Sequence, residues 1–357
     1  MLKSFAARNF RCLADFELHN LARMNLLVGD NDEGKTALLE ALFAHLSQAN
    51  PTSFLILKAF RRSVGSVDDT FWQEFFANLD DSRDIHLSSV DSAGRERKNK
   101  FTVGERVQIT VSAPPASGSN IRIPAGSPLG SVSFRPLRVE YQDGTREEPL
   151  RNEIVFNPSI LTFVPEHRIE PDLPAYFFSA AGPPEADTVA KQLSQLVVNK
   201  QEIALTNLAK VMDDRIQGLF VASPRGAIEA FVDLGERRLF PLTLMGSGVV
   251  RAIGIAAAVL VYAAGLILVD EIEDGIYYKR LGDFWKMLYA MAKRSDAQII
   301  ASTHSAECVG AAMEAITPDL KDADPLHIYR LVRGRRLPIP YEKESLKSAD
   351  EFMAELR

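Results

Sequence analysis

Met24-Asn25-Leu26-Leu27-Val28 runs straight into Gly29-Asp30-Asn31-Asp32-Glu33-Gly34-Lys35-Thr36, and Ala37–Leu46 follows. The first piece is a short apolar run, the pattern of a strand buried in a parallel sheet. In the last piece Leu38, Leu39, Leu42 and Leu46 recur at helical spacing. The eight residues between them fit G-x-x-x-x-G-K-[ST] in the strand–loop–helix setting that motif needs. Glycines at 29 and 34 let the backbone curl so that its N–H groups face phosphate oxygens. The helix that follows adds its positive N-terminal end. Lys35 is expected to reach the β- and γ-phosphates, and the Thr36 hydroxyl to ligate Mg²⁺. ATP is therefore the expected ligand, bound by Gly29, Glu33, Gly34, Lys35, Thr36 and Ala37. No residue reads the base, so GTP stays open beside ATP.

Two further strand ends carry chemistry. Gly265–Val269 is apolar and stops at Asp270-Glu271. Carboxylates delivered at the C-terminal end of a strand suit a nucleotide site in an open parallel sheet. Asp270 is expected to hold the Mg²⁺ shell, and Glu271 to orient or deprotonate the attacking water. One strand–helix–strand crossover later, Ala297–Ser302 ends in Thr303-His304-Ser305. A histidine beside those carboxylates can contact the γ-phosphate and report whether it is still attached. Upstream, Leu242–Arg251 reads LTLMGSGVVR and opens a long apolar helix. A Gly-Ser-Gly turn at a helix start makes an anion site from backbone N–H groups, the Ser247 hydroxyl and the helix dipole. The chain's own phosphates are already cradled elsewhere.

Bulk composition narrows the partners. With 46% hydrophobic and 25% charged residues the chain is globular in composition. A net charge of −6 argues against coating nucleic acid over the whole surface, so any DNA contact is a local basic patch. Two cysteines, Cys12 and Cys308, are too few for a disulfide framework or a Cys-rich metal site. Lys3, Arg8 and Arg11 interrupt any signal-like apolar run. Val249–Leu268 reads as a buried helix and then a buried strand, because Arg251 falls inside it. No membrane span and a cytoplasmic location are the expectation.

In this order, the loop, the Ser-Gly turn opening a helix, LILVDE and the trailing Thr-His resemble ABC-type ATPases. Leu2–Arg11 (LKSFAARNFR) is similar to the first strand of the RecF/SMC/OLD branch, and GDNDEGKT resembles that branch's G-x-N-x-x-G-K-[ST], with Asn31 at the marked position. VDEIEDGIYYKRLGDFWKML and STHSAEC resemble AAA-family ATP-binding proteins related to OLD nucleases. The resemblance implies a P-loop NTPase of α/β class with an ABC-like mixed sheet, a β-rich insert and a helical arm. It also implies a homodimer or higher even oligomer. Ser247 and Gly248 of one copy would then meet the other's γ-phosphate, Arg251 would support them, and Asp274 would lie in the turn crossing the interface. GSGVV departs from LSGGQ, and Tyr277 stands where relatives often have His. Gln73, Gln108 and Gln142 compete for the Q-loop position.

The remaining chain is expected to divide as follows. Residues 1–50 and 223–325 form the ATPase lobe, 51–184 the β-rich insert, 185–222 the helical arm and 326–357 a tail. Arg106–Ala113 and Ser131–Tyr141 alternate as strands do, with a proline-rich surface loop at Ala113–Gly130 between them. Asp187–Phe220 has helical periodicity, broken near Asn199. It reads equally as a hairpin packed on the core or as a binding arm. Basic clusters at Arg61-Arg62, Arg95-Arg97-Lys98-Lys100 and Arg330-Arg333-Arg335-Arg336 could line DNA. The stretch after His304 is too short for the Toprim nuclease domain of full OLD nucleases. The expected function is ATP hydrolysis that drives a dimer switch, sensing or regulating a separate DNA-directed nuclease subunit in a defence- or repair-like system. The competing reading is an ATP-gated DNA clamp or scaffold with little turnover. A transporter ATPase is disfavoured by the long insert.

Overall fold

Met24–Val28 is buried at every residue because a parallel strand covers it on each side. Gln298–Ser302 pairs along one edge and Leu326–Arg330 along the other. The six-stranded sheet runs Ala175–Phe178, Leu266–Val269, Gln298–Ser302, Met24–Val28, Leu326–Arg330, Ile339–Tyr341. All neighbours are parallel except the last pair. Leu266–Val269 and Gln298–Ser302 are also buried at every position, which is why these runs do not alternate apolar with polar. This computed structural model describes residues 1–61, 70–112, 128–157, 162–165, 173–180, 186–224, 226–317 and 325–341. Among them no helix is long and apolar enough to cross a membrane.

The chain divides into two units, and the sheet belongs to the one formed by Met1–Lys3, Leu18–Leu39 and Leu173–Arg357. Its core is assembled from helix faces. Ser247–Val261 contributes Ile253, Ile255 and Val259, and Leu281–Ser295 contributes Phe284, Trp285 and Leu288. Ala186–Val198 and Glu202–Met212 bury Leu193, Leu196, Leu205 and Leu208 in the same core. The break between these two helices falls where Lys200 adopts a left-handed backbone, φ 56°. The helical reading of Asp187–Phe220 needs one correction. Helix ends at Met212, where Asp213 is extended, and Gly218–Ala222 is a strand paired antiparallel with Glu229–Asp233. Ile216 and Phe220 fit a helical spacing, but Gly218 between them and the partner strand decide otherwise.

The second unit comprises Ser4–Glu17 and Glu40–Asp172. Its main sheet is antiparallel from Thr162–Pro165 through Leu150–Asn157, Leu137–Gln142, Glu96–Val103 and Ile85–Asp91. Phe54 packs against Phe75 and Phe101 at ring-centroid distances of 4.7 and 4.8 Å. The expected strand Ser131–Tyr141 is in fact two, Pro128–Phe134 and Leu137–Gln142, in different sheets. Pro136 cannot donate to a ladder, and the chain changes sheet there. Residues 113–127 of the proline-rich loop lie outside the described residues, as does Arg62. The cluster Arg95–Lys100 is neutralised residue by residue. Arg95 meets Asp143 at 2.6 Å, Arg97 meets Asp91 at 3.0 Å, Lys98 meets Glu96 at 2.9 Å and Lys100 meets Asp84 at 3.1 Å. That pairing favours a solvated, internally balanced face over a polyanion surface.

One buried group in this unit titrates with a consequence. His45 is fully buried, with Nε2 2.7 Å from Ser89 Oγ. Burial pushes its imidazole down from 6.5 to about 3, because a charged ring there would lose its water. Above pH 6.5 the ring is neutral in both folded and unfolded chains and costs nothing. As pH falls below that value the unfolded chain takes a proton that the folded ring refuses. Stability should then fall by about 1.4 kcal/mol per pH unit until pH approaches 3. Thermal melts from pH 7 to pH 5 check this: His45→Gln should flatten the slope, and an unchanged slope would show that other groups set it.

Candidate functional site

Sheet register brings the site together. Val269 stands opposite Ala301, and Ser302 opposite Leu27. The strands therefore finish level, and the segments that leave them start side by side. From Val28 leaves Gly29–Thr36, from Ser302 leaves Thr303–His304, and from Val269 leaves Asp270–Glu271. These C-terminal strand ends are where open α/β sheets take ligands. A cleft of about 220 Å³ lies there, lined by Gly29, Asp30, Asn31, Thr303, His304 and Ser305 among others.

The loop is shaped by three left-handed residues. Gly29, Asp32 and Gly34 have φ of 137°, 63° and 97°. A Cβ on Gly29 would lie 2.7 Å from the Leu331 carbonyl oxygen, so only glycine fits. Alternating backbone hand is what turns successive N–H groups toward one point. Lys35 is only 5% exposed, and its Nζ donates to the Gly29 and Asp30 carbonyls, each at 2.7 Å. Burial lowers the affinity of Lys35 for its proton, while Asp270, Asp30, Glu33 and Glu271 oppose that shift. Ala37 is buried just inside the helix. The Glu33 side chain points elsewhere, accepting from the Arg333 amide, which leaves only its backbone for a nucleotide.

Thr36 and Asp270 lie 234 residues apart in sequence, yet Thr36 Oγ1 donates to Asp270 Oδ2 at 2.9 Å. Ser302 binds both members of the acidic pair. Its Oγ donates to Asp270 Oδ1 at 2.6 Å and accepts from the Glu271 amide at 2.8 Å. Glu271 has φ 50°, an unusual conformation for a non-glycine residue. His304 Nε2 is 3.7 Å from Glu271 Oε1. The structure brings Thr36 beside Asp270 and His304 beside Glu271, with His304 also lining the cleft; the sequence reading names these four and Lys35, and it overlooks Ser302. The available signal was a hydroxyl closing the apolar run Ile299–Ala301.

Ser247 is exposed at the start of Ser247–Val261. Gly248 is buried against its own chain, where an added Cβ would come within 1.8 Å of the Gly275 carbonyl oxygen. Arg251, expected to support Ser247, instead turns inward and is 3% exposed. It donates to the backbone oxygens of Asp270, Glu271 (3.3 Å) and Ser179 (3.2 Å). Burial lowers its proton affinity, opposed by Asp274, Asp270, Glu271 and Glu273. The helix that begins at Ser247 is thus bolted to the strand that ends at Asp270. Gln73, Gln108 and Gln142 all belong to the second unit.

Comparison with known proteins places this arrangement. A family model described as "AAA domain, putative AbiEii toxin, Type IV TA system" matches residues 24–309. The chain is 26% identical over 373 residues to an OLD nuclease from Thermus scotoductus (strain ATCC 700910 / SA-01), covering 98% of this chain and 66% of that protein. It thus spans just under two thirds of that relative's length. It is 21% identical over 376 residues to an ATP/GTP phosphatase from Helicobacter pylori (strain ATCC 700392 / 26695), covering 96% and 99% of the two chains. Among solved structures, the SMC head domain from Thermotoga maritima aligns with a TM-score of 0.39 at 14% identity, over 96% of this chain and 99% of that one.

Proposed function

The chain belongs to the AAA-domain family matched over residues 24–309, an ABC/AAA-type ATPase family of the RecF/SMC/OLD branch, and we propose that it works as an ATP-driven head-to-tail dimer. The reaction is hydrolysis of ATP to ADP and phosphate by attack of water on the γ-phosphorus. The observation that carries the site assignment is the Thr36–Asp270 contact, which joins the phosphate loop to the acidic strand end. Lys35 exchanges its two loop carbonyls for phosphate oxygens. Glu271 orients the water and takes its proton. His304 contacts the γ-phosphate from the neighbouring strand.

Thr36 and Asp270 offer a hydroxyl and a carboxylate 2.9 Å apart, a hard-oxygen donor set that fits Mg²⁺ and not a softer metal. When bound, that ion would offset charge on the phosphate oxygens. Exposed Ser247, with the amides of its helix start, serves the partner's nucleotide. ATP thereby joins two copies, and hydrolysis parts them. The likeness to an OLD nuclease supports a coupling of this cycle to DNA cleavage by a separate nuclease subunit, in a defence- or repair-like system.

Lys35→Ala tests the reading. Its kcat/KM for ATP should fall at least about 10²-fold, and it should stay monomeric with ATP where the wild type dimerises. Hydrolysis at the wild-type rate by Lys35→Ala would place the activity at another site.

A further inference from the structure

Glu273 lies two residues beyond Glu271 and faces the start of the helix Ala306–Ala315. Its Oε1 accepts from the backbone N–H of His304 at 2.9 Å and of Ser305 at 3.2 Å. Ser305 is the N-cap of that helix, its side chain accepting from the Cys308 amide. A carboxylate is favoured at this positive helix end. Its second oxygen, Oε2, is shielded from solvent and has no hydrogen-bond partner among the described residues. An unpaired buried oxygen is costly, so the grip of Oε1 on the two amides is kept against a penalty.

What the two amides hold is the segment that carries His304. The turn itself is firm: the Asp274 amide donates to Glu271 O at 3.0 Å and the Ile276 amide to Glu273 O at 2.9 Å. The Ile272 amide donates to Ser302 O at 3.0 Å. Through Glu273 this turn grips the neighbouring strand end at the position where the His304 ring comes 3.7 Å from Glu271 Oε1. At Gly275 the same turn abuts Gly248. One rigid turn therefore touches the water-activating carboxylate, the histidine and the helix that begins at Ser247.

We propose that Glu273 is a positioning residue for hydrolysis, fixing the His304 ring relative to Glu271 by holding the His304 and Ser305 amides. This rests on the roles given to Glu271 and His304 above. In the full-length chain, Glu273→Ala is expected to lower kcat about tenfold or more, with KM for ATP and the melting temperature little changed. Glu273→Gln keeps an oxygen for both amides and should restore most of the rate. Because both changes remove one interaction, Glu273→Ala with His304→Ala should be no slower than His304→Ala alone. Should the alanine variant not fold, Glu273→Asp, with its carboxylate drawn back by one methylene, supplies the same comparison. Additive losses would overturn the proposal, as would a wild-type kcat in Glu273→Ala beside an impaired His304→Ala; both leave the reaction assignment standing. Wild-type turnover by Glu271→Gln would instead remove the reading on which the proposal rests.

Discussion

Glu271→Gln is expected to bind ATP as the wild type does, to hydrolyse it about 10²–10⁴-fold more slowly, and to accumulate as an ATP-bound dimer. The amide keeps the size and the φ 50° backbone of Glu271 but cannot take a proton from water. Asp270 is untouched by the change, because its contacts run to Thr36 and Ser302 through their hydroxyls. The loss should therefore lie in kcat, with nucleotide affinity preserved. Turnover alongside mass in solution checks this. Normal turnover would move the base elsewhere. A slow variant that stayed monomeric with ATP would keep the base and remove the head-to-tail arrangement.

Gly248→Ala sets two effects of opposite sign against each other. Helix propensity favours alanine over glycine by about 1 kcal/mol in a helix interior and by less at the second residue, where Gly248 stands. The added methyl, however, would sit 1.8 Å from the Gly275 carbonyl oxygen and 2.9 Å from the Ile276 amide nitrogen. Both are backbone atoms and cannot rotate aside, so overpacking wins and the variant should lose about 3 kcal/mol of stability. The displaced turn carries Glu271, so turnover should fall as well. Gly246→Ala is the control, since nothing lies within 4 Å of a Cβ there, and it should melt like the wild type. Equal melting temperatures for the two variants would show that the turn yields freely.

The phosphate loop was legible in the sequence because its chemistry depends on residues adjacent in the chain. Gly29, Gly34, Lys35 and Thr36 carry their meaning in their spacing. Asp270, Glu271 and His304 were legible because each comes just past the end of a strand-like run. Ser302, Arg251 and Glu273 were not, since their partners depend on which strand lies beside which. Arg251 shows why: the family resemblance implied support for Ser247, and the packing of its helix turned it inward onto backbone oxygens. The pairing of the Arg95–Lys100 cluster was hidden for the same reason, because Asp143 and Asp84, which meet Arg95 and Lys100, lie outside its own stretch of chain. Charge counted along a chain says little about charge across a sheet.

The central position of Met24–Val28 also bears on how the molecule comes into being. Asn25 bonds to Ile299, 274 residues later, and the strand on its other side, Leu326–Arg330, is made later still. At about 5–20 residues per second, synthesis leaves this apolar strand without either neighbour for roughly a quarter of a minute to a minute. Such non-local pairing slows folding and keeps sticky surface exposed meanwhile. Nascent chains should depend on holding factors, and ribosome-stalled fragments ending before residue 298 should bind no ATP.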